Sequence, residues 1–205
     1  YAGYAVTMGA LSGLSYLTGY EGGPPVIMRS SADLRPGTAA AFATLAALNY
    51  RQETGEGQFI DFSAREALSC GIGEVIMDYT MNGRVRSRNG NRDDIMAPHN
   101  CYRCKGDDKW VSIAISSDEE WEALSRAMGN PAWTKEERFG DQLSRWQHQK
   151  ELDELIEAWT INHTHYEVME MLQRAGVAAV PSFSNEELFN DPHCRERECF
   201  IPVQH

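Results

Sequence analysis

The spacing of apolar and polar positions divides the chain into a helix-rich first part and a mixed second part. Residues 1–20 carry small and apolar residues at mixed spacing, and EGGPP at 21–25 forces a turn. From Gly37 the run TAAAFATLAALNYRQE favours helix, with Pro36 suited to its first turn and Gly55 to its stop. That helix is apolar on most of its faces, which predicts burial. FIDFS at 59–63 alternates as a short strand would, and Arg65 to Tyr79 returns to helical spacing through Leu68, Ile72, Val75, Ile76 and Tyr79.

The pattern breaks at 82–98, NGRVRSRNGNRDDIMAP, a loop or linker and the best candidate boundary between a portion 1–82 and a portion 83–205. After it, CYRCKGDDKWVSIAIS predicts two strands around the turn Gly106-Asp107-Asp108. Trp110, Ser112 and Ala114 face one way there, and Val111, Ile113 and Ile115 the other. Four S/T-x-x-E boxes predict helix starts: Ser117 with Glu120, Thr134 with Glu137, Thr164 with Glu167, and Ser184 with Glu187. VAAVPSF at 177–183 reads as a short strand ended by Pro181. Trp121, Met128, Trp133, Trp146, Trp159, Met169 and Met171 recur near helical spacing and are read as core. His163 and His165, which flank Thr164, are read as a solvated loop. The resulting fold class is mixed α/β.

Composition narrows the functional classes. With 205 residues, 42% apolar and 24% charged, the chain has enough apolar surface to bury a core. Lys plus Arg is 19 against 30 Asp plus Glu, a net charge of −11, which excludes a large basic face for nucleic acid or anionic lipid. The densest local basic patch is Arg84, Arg86, Arg88 and Arg92. The opening run has no charged segment ahead of it and is broken at Gly3, Gly9, Gly13 and Gly19, unlike a signal peptide. No apolar stretch reaches the roughly 20 residues that span a bilayer. The expectation is a cytoplasmic protein without membrane contact, and the start at Tyr1 reads as the middle of a longer chain. Five cysteines, an odd number, fit a reducing compartment better than a disulfide scaffold.

Candidate chemistry is sparse. His99, Cys101 and Cys104 together with His193, Cys194 and Cys199 could supply nitrogen and sulfur ligands to zinc. Cys101 and Cys104 lie in an extended run, however, and Cys194 and Cys199 are separated by four residues, so no metal site is assigned. GEGQ at 55–58 and GIG at 71–73 lack the spacing and the following Lys-Ser/Thr of a phosphate loop. Asp33 precedes an Ala-rich helix whose free N–H groups make a positive pole, a place where a carboxylate nucleophile can stay ionised. Taken on the residues alone, a turn cap ahead of Pro36 is the simpler reading, because Asp is a common turn residue.

The string SADLRPGTAAAFATLAALNYRQETGEGQFIDFSAREAL resembles class III CoA-transferases, the CaiB/BaiF family. The shared pattern is an aspartate before a small-residue helix, an R-x-x-T-G-x-G-Q turn (Arg51, then Thr54 to Gln58) and I-D-x-S (Ile60 to Ser63). Further matches are SGLSYLTGYEGGPP, Arg88-Asn89-Gly90-Asn91, Ala97-Pro98, Tyr102, Gly106-Asp107-Asp108 with Trp110, Ala175-Gly176-Val177 and Asp191-Pro192.

The resemblance implies that Asp33 is the nucleophile of a ping-pong transfer of CoA between an acyl-CoA and a carboxylic acid, through a covalent aspartyl intermediate. It places an active-site loop around Asn89, Gly90 and Asn91, and it implies coenzyme A or acyl-CoA as substrate with no permanently bound cofactor. In fold, it implies the end of a Rossmann-like large domain in 1–82 and a smaller α+β domain in 83–205, within an interlocked homodimer. The same fold includes α-methylacyl-CoA racemases, which use an Asp and a His. Here Leu34-Arg35-Pro36-Gly37 follows Asp33, Tyr4 stands near the place expected for the His, and no His precedes His99, all of which favour a transferase. A non-catalytic acidic interaction domain, clipped by zinc at the cysteines, is the reading from another class. Family members begin with a CoA-binding half that these residues do not include, so the resemblance implies a fragment that would not turn over alone.

Overall fold

The computed structural model describes residues 3–27 and 31–204, with the side chain of Ser31 outside the description. The chain divides into two compact units, Tyr1–Gly90 and Asn91–His205, so the division falls inside the 82–98 segment.

The regular elements among the described residues of unit 1 are all helices. Two short helices, α1 (Ala5–Leu11) and α2 (Leu14–Leu17), are joined at Gly13, whose φ of +86° is left-handed. A Cβ there would meet Ile72 Cδ1 at 3.2 Å. The long helix α3 (Ser31–Thr54) follows and packs against α1 and against α4 (Ala64–Ser69). A 3-10 turn at Cys70–Ile72 leads into α5 (Gly73–Asn82), which stops at Gly83 with φ +68°. The expected helix from Arg65 to Tyr79 is therefore present but broken at Cys70.

Three sequence expectations fail in this unit. Helix α3 begins at Ser31, so Pro36 sits inside it rather than in its first turn, and Ala32 O loses the amide that would have bonded to it. The same helix is largely exposed: Leu34, Phe42, Leu45 and Leu48 all face solvent. Its apolar residues spread around the circumference, and α1 and α4 cover only part of it. Residues 59–63 form no strand, and Phe59 is 94% exposed. Alternation supplies side chains for a strand but not a neighbour for its backbone, and unit 1 offers none among its described residues.

Unit 2 has a sheet. Strands β1 (His99–Arg103), β2 (Trp110–Ala114) and β3 (Ala178–Pro181) are antiparallel in the order β1-β2-β3, with Tyr102 opposite Val111 and Ile113 opposite Ala179. As the period-two pattern predicts, Val111, Ile113 and Ile115 point into the core. Helix α8 (Gln149–Thr160) packs on β1, and α9 (His165–Arg174) packs on β2 and β3. Helix α6 (Asp118–Ala127) lies against α9, and α7 (Gln142–Gln147) precedes α8. The chain ends with α10 (Asn185–Asn190) and α11 (Pro192–Glu196). Leu124, Phe139, Leu152, Ile156, Val168 and Leu172 fill the space between sheet and helices. Trp121, Trp133 and Phe139 form an aromatic group with ring centroids 5.9 to 6.4 Å apart.

The caps are mixed in outcome. Thr164 and Ser184 make full capping boxes with Glu167 and Glu187. Ser117 accepts from Glu120 N, but the Glu120 carboxylate returns to Ser116 instead. Thr134 caps nothing with Glu137. It is buried in a 3-10 turn, where its hydroxyl donates to Pro131 O and pairs with Ser125 Oγ at 2.6 Å. Asp141 and Asp191 cap α7 and α11, two starts the box pattern does not register.

Several core assignments also change. Met169 and Met171 are half-buried beside the buried Val168 and Leu172, and Trp146 lies at the surface with Nε1 donating to Asp93 O. His165 is not a solvated loop residue. It is 4% exposed and lies 2.9 Å from Glu187 Oε1 through Nε2, while its Nδ1 is buried without a partner among the described residues.

Candidate active site

Asp33 is the third residue of α3 and stands in its first turn. Backbone N–H groups in that turn have no partner within the helix, so the position is electropositive. Asp33 is exposed, and among the described residues no hydrogen bond or ion pair engages its carboxylate. The turn-cap reading therefore fails, since Asp33 lies inside the helix and holds no turn together. Its neighbours are anchored: Ala32 is 1% exposed, Pro36 is buried, and Arg35 extends beside Gly71, where a Cβ would meet Nη1 at 3.4 Å. Thr38, Thr44 and Thr54 each donate to the carbonyl four residues back, at 2.8 to 2.9 Å. The carboxylate is thus presented to solvent from a fixed helix end.

The turn preceding α3 explains the glycines of SGLSYLTGYEGGPP. Val26 N donates to Thr18 O at 2.8 Å and Gly23 N to Tyr20 O at 3.0 Å. At Gly19, with φ +135°, a Cβ would fall 2.8 Å from Pro24 O and 2.9 Å from Arg88 Cδ, so no side chain fits. Gly90 N donates to Gly19 O at 2.9 Å, and its φ of +68° suits glycine. This ties Gly90 to the turn at 19–26 within unit 1. Asn91 belongs to unit 2, where its amide donates to Asn100 Oδ1 and its carbonyl faces His99 Nδ1. The expected Asn89-Gly90-Asn91 loop is therefore divided between the units.

The arginine patch is already engaged. Arg86 Nε donates to Asp78 Oδ2 at 3.0 Å and Arg84 lies 3.5 Å from the same oxygen. Hydrogen bonds from Asn82 and Arg86 hold the Asp78 carboxyl below its usual range. Arg88 donates to Gly23 O and Tyr16 O and lies over the Tyr16 ring. In unit 2, Arg92 contacts Asp153.

The cysteines do not assemble into a metal site. Among the described residues no group of three or more His, Cys, Asp and Glu side chains is placed to hold a metal ion. Cys104 is buried, and burial pushes its thiol up to about 11, while Cys101 Sγ faces Ser182 Oγ. Nor is any helix among the described residues long and apolar enough to cross a membrane.

Comparison with known sequences gives the family. The sequence profile of CoA-transferase family III matches residues 1–205. The chain belongs to CoA-transferase family III. Among curated family III relatives, a succinyl-CoA–D-citramalate CoA-transferase of Chloroflexus aurantiacus is 34% identical over 203 residues, 98% of this chain and 50% of the relative. A succinyl-CoA:mesaconate CoA-transferase of Haloarcula marismortui is 30% identical over 195 residues, 95% of this chain and 48% of the relative. The chain thus spans about half the length of the curated relatives it matches. A CaiB/BaiF family protein of Brucella suis superposes with a TM-score of 0.86 at 26% identity, over all of this chain and 56% of the other.

Within this family III chain, the positions that carry the family pattern fall into two kinds. Most in unit 2 have structural work. Ala97 O accepts from the buried Arg145 at 3.1 Å, and Tyr102 OH donates to Asp153 at 2.7 Å. Gly106, with φ +119°, and Asp108, with φ +50°, shape the hairpin, where Trp110 Nε1 donates to Asp108 Oδ1. Gly176, at φ +81°, turns α9 into β3, and Asp191-Pro192 starts α11. Asp33 has no comparable task. Sequence reading missed Arg145, which is fully buried and also donates to Phe139 O and Asp118 while lying over the Trp121 ring. A basic residue in an amphipathic helix gives no sign of burial in the sequence.

Proposed function

We propose that this chain carries the nucleophile of an enzyme that moves CoA between an acyl-CoA and a carboxylic acid, with Asp33 as the attacking carboxylate. One observation carries the reading: in a chain matched end to end by the family III profile, Asp33 stands exposed, and unengaged among the described residues, in the first turn of a 24-residue helix. The acyl-CoA is proposed to be succinyl-CoA, following the names of several relatives.

The chemistry follows from the carboxylate. Asp33 attacks the thioester carbonyl, the C–S bond breaks, and a mixed anhydride and CoA thiolate result. The thiolate attacks the aspartyl carbonyl, releasing the first acid and leaving a thioester on Asp33. An incoming carboxylate attacks that thioester, frees the thiolate and forms a second anhydride. Attack of the thiolate on the acceptor's acyl carbon gives the new acyl-CoA and restores Asp33. The helix N-terminus offers backbone N–H groups to the developing oxyanion.

The nucleotide phosphates of CoA are proposed to be held mainly by parts of the enzyme beyond these residues, because Arg84, Arg86 and Arg88 are already engaged. The Rossmann-like large domain, the active-site role of Asn89, Gly90 and Asn91, a cytoplasmic location and the homodimer belong to the same proposal. Two relatives are named as alpha and beta subunits, so pairing of unlike chains is the alternative assembly. The test is a mass increment of acyl or CoA on the Asp33 peptide after incubation of the full-length enzyme with acyl-CoA. Asp33→Asn abolishes both adduct and transfer. Transfer that persists in Asp33→Asn, or exchange of the α-proton with no adduct, overturns the proposal.

A further inference from the structure

The last helix ends in a way that brings two thiols together. Asp191 caps the start of α11 by accepting from Cys194 N at 3.0 Å. At the other end, Glu198 adopts a left-handed φ of +53°, and two amides fold back onto the helix. Cys199 N donates to Cys194 O at 2.9 Å, and Glu198 N donates to Arg195 O at 3.1 Å. These are the six-to-one and five-to-two bonds of a Schellman motif, which sets the side chain after the left-handed residue against the one five positions earlier. That contact is ordinarily between two apolar groups. Here the two positions are held by Cys194 and Cys199. Both are free, Cys194 half-buried and Cys199 exposed.

We propose that Cys194 and Cys199 form a reversible dithiol–disulfide couple closed across the end of α11, with a hydroperoxide as oxidant. Cys199 reacts first. It is the more accessible thiol, whereas burial and the neighbouring sulfur push the Cys194 thiol up and keep it protonated. The Cys199 thiolate attacks a peroxide oxygen, the O–O bond breaks, and a sulfenic acid and hydroxide form. Cys194 gives up its proton and its sulfur attacks the Cys199 sulfur. The S–O bond breaks and water leaves. Two thiols and one hydrogen peroxide thus become one disulfide and two waters, and an added dithiol reverses the exchange. Neither sulfur is used in the proposed acyl transfer, so the couple stands apart from the Asp33 chemistry.

The test uses the full chain with hydrogen peroxide, followed by alkylation and peptide mass analysis. The peptide or linked peptides containing Cys194 and Cys199 should lose the mass of two hydrogens and regain it with dithiothreitol. In Cys194→Ser, Cys199 should instead accumulate a sulfenic acid that a dione reagent traps. A persistent sulfenic acid at Cys199 in the unaltered chain, matching the Cys194→Ser variant, overturns the proposal. A second measurement separates the fold from mere closeness in sequence. Equilibrated against glutathione, the disulfide should be favoured at least about tenfold more in the native chain than in guanidinium chloride. Equal constants in the two conditions also overturn it.

Discussion

Residues 91–205 and residues 1–90 use apolar side chains in opposite ways. The second unit closes on itself: its sheet and helices bury sixteen apolar residues in one cluster, including every large residue that its strand pattern marks as inward. Among its described residues the first unit buries few apolar side chains, Ala32, Pro36, Leu68 and Ile72, and it leaves Leu34, Phe42, Leu45, Leu48, Phe59 and Met81 in solvent. The proposed nucleophile is on this open unit. A helix that keeps its apolar sides uncovered is a poor source of stability by itself but a suitable part for a larger assembly, because burying each such side chain contributes about 1.5–3 kcal/mol when a partner surface arrives. The comparison assigns stability to one region of the chain and leaves the proposed chemistry to the other.

The largest effect should come from the closed core. Phe139 is fully buried against Trp121 and Trp133, so Phe139→Ala should cost about 3–5 kcal/mol. All five tryptophans, from Trp110 to Trp159, lie in unit 2, so denaturant unfolding followed by tryptophan emission reads this unit directly. A loss below about 1 kcal/mol would show that the core is looser than its packing implies. Next in size is Arg145→Met. It removes donors from Ala97 O and Phe139 O and leaves Asp118 without its buried partner, an expected cost of about 2–3 kcal/mol by the same measurement.

Much of the closed unit was legible because its pattern and its environment agree. Val111, Ile113 and Ile115 alternate with polar neighbours, and a sheet with one covered face rewards that alternation. Thr164 and Ser184 carry their partners three residues on, and a capping box needs nothing beyond its own turn. Where the outcome depends on distant residues, reading failed. Thr134 matches the box but is drawn into the core by Ser125, and His165 is buried by Glu187 from α10. In the open unit, FIDFS has the period of a strand and lacks a pairing edge, while the start of α3 lies five residues before the proline that was expected to open it. Asp33 drew notice from its place ahead of an Ala-rich helix, but residues alone favoured a turn cap and only the resemblance to a family made it the nucleophile candidate; its exposure within a helix is a fact of the structure.

The acid limb of unit 2 offers a third test. Glu187 accepts from Lys109 Nζ at 2.7 Å and from Ser184 N, and these bonds lower its pKa from 4.5 to about 2. A folded value below the unfolded one means stability that is present above about 4.5 and lost as pH falls toward 2. Glu187→Gln should therefore flatten the pH dependence of unfolding in that window. An unaltered acid limb in Glu187→Gln would remove the Lys109–Glu187–Ser184 group from the account of why unit 2 is stable.

The smallest expected effect is the most direct test of the contrast. Phe42 is as large as Phe139 and equally apolar, but it is 73% exposed at the middle of α3. Truncating it removes almost no buried surface, so Phe42→Ala should change the stability of the chain by no more than about 0.5 kcal/mol. Loss of unit 1 helicity, followed by circular dichroism because this unit holds no tryptophan, should occur at the same denaturant concentration in both chains. Binding of a dye that reports exposed apolar surface should fall, since the variant has less to offer it. A cost above about 1 kcal/mol would mean that the ring is buried in solution. That cost should then grow with protein concentration if a second copy supplies the cover, because association stabilises a folded chain by mass action.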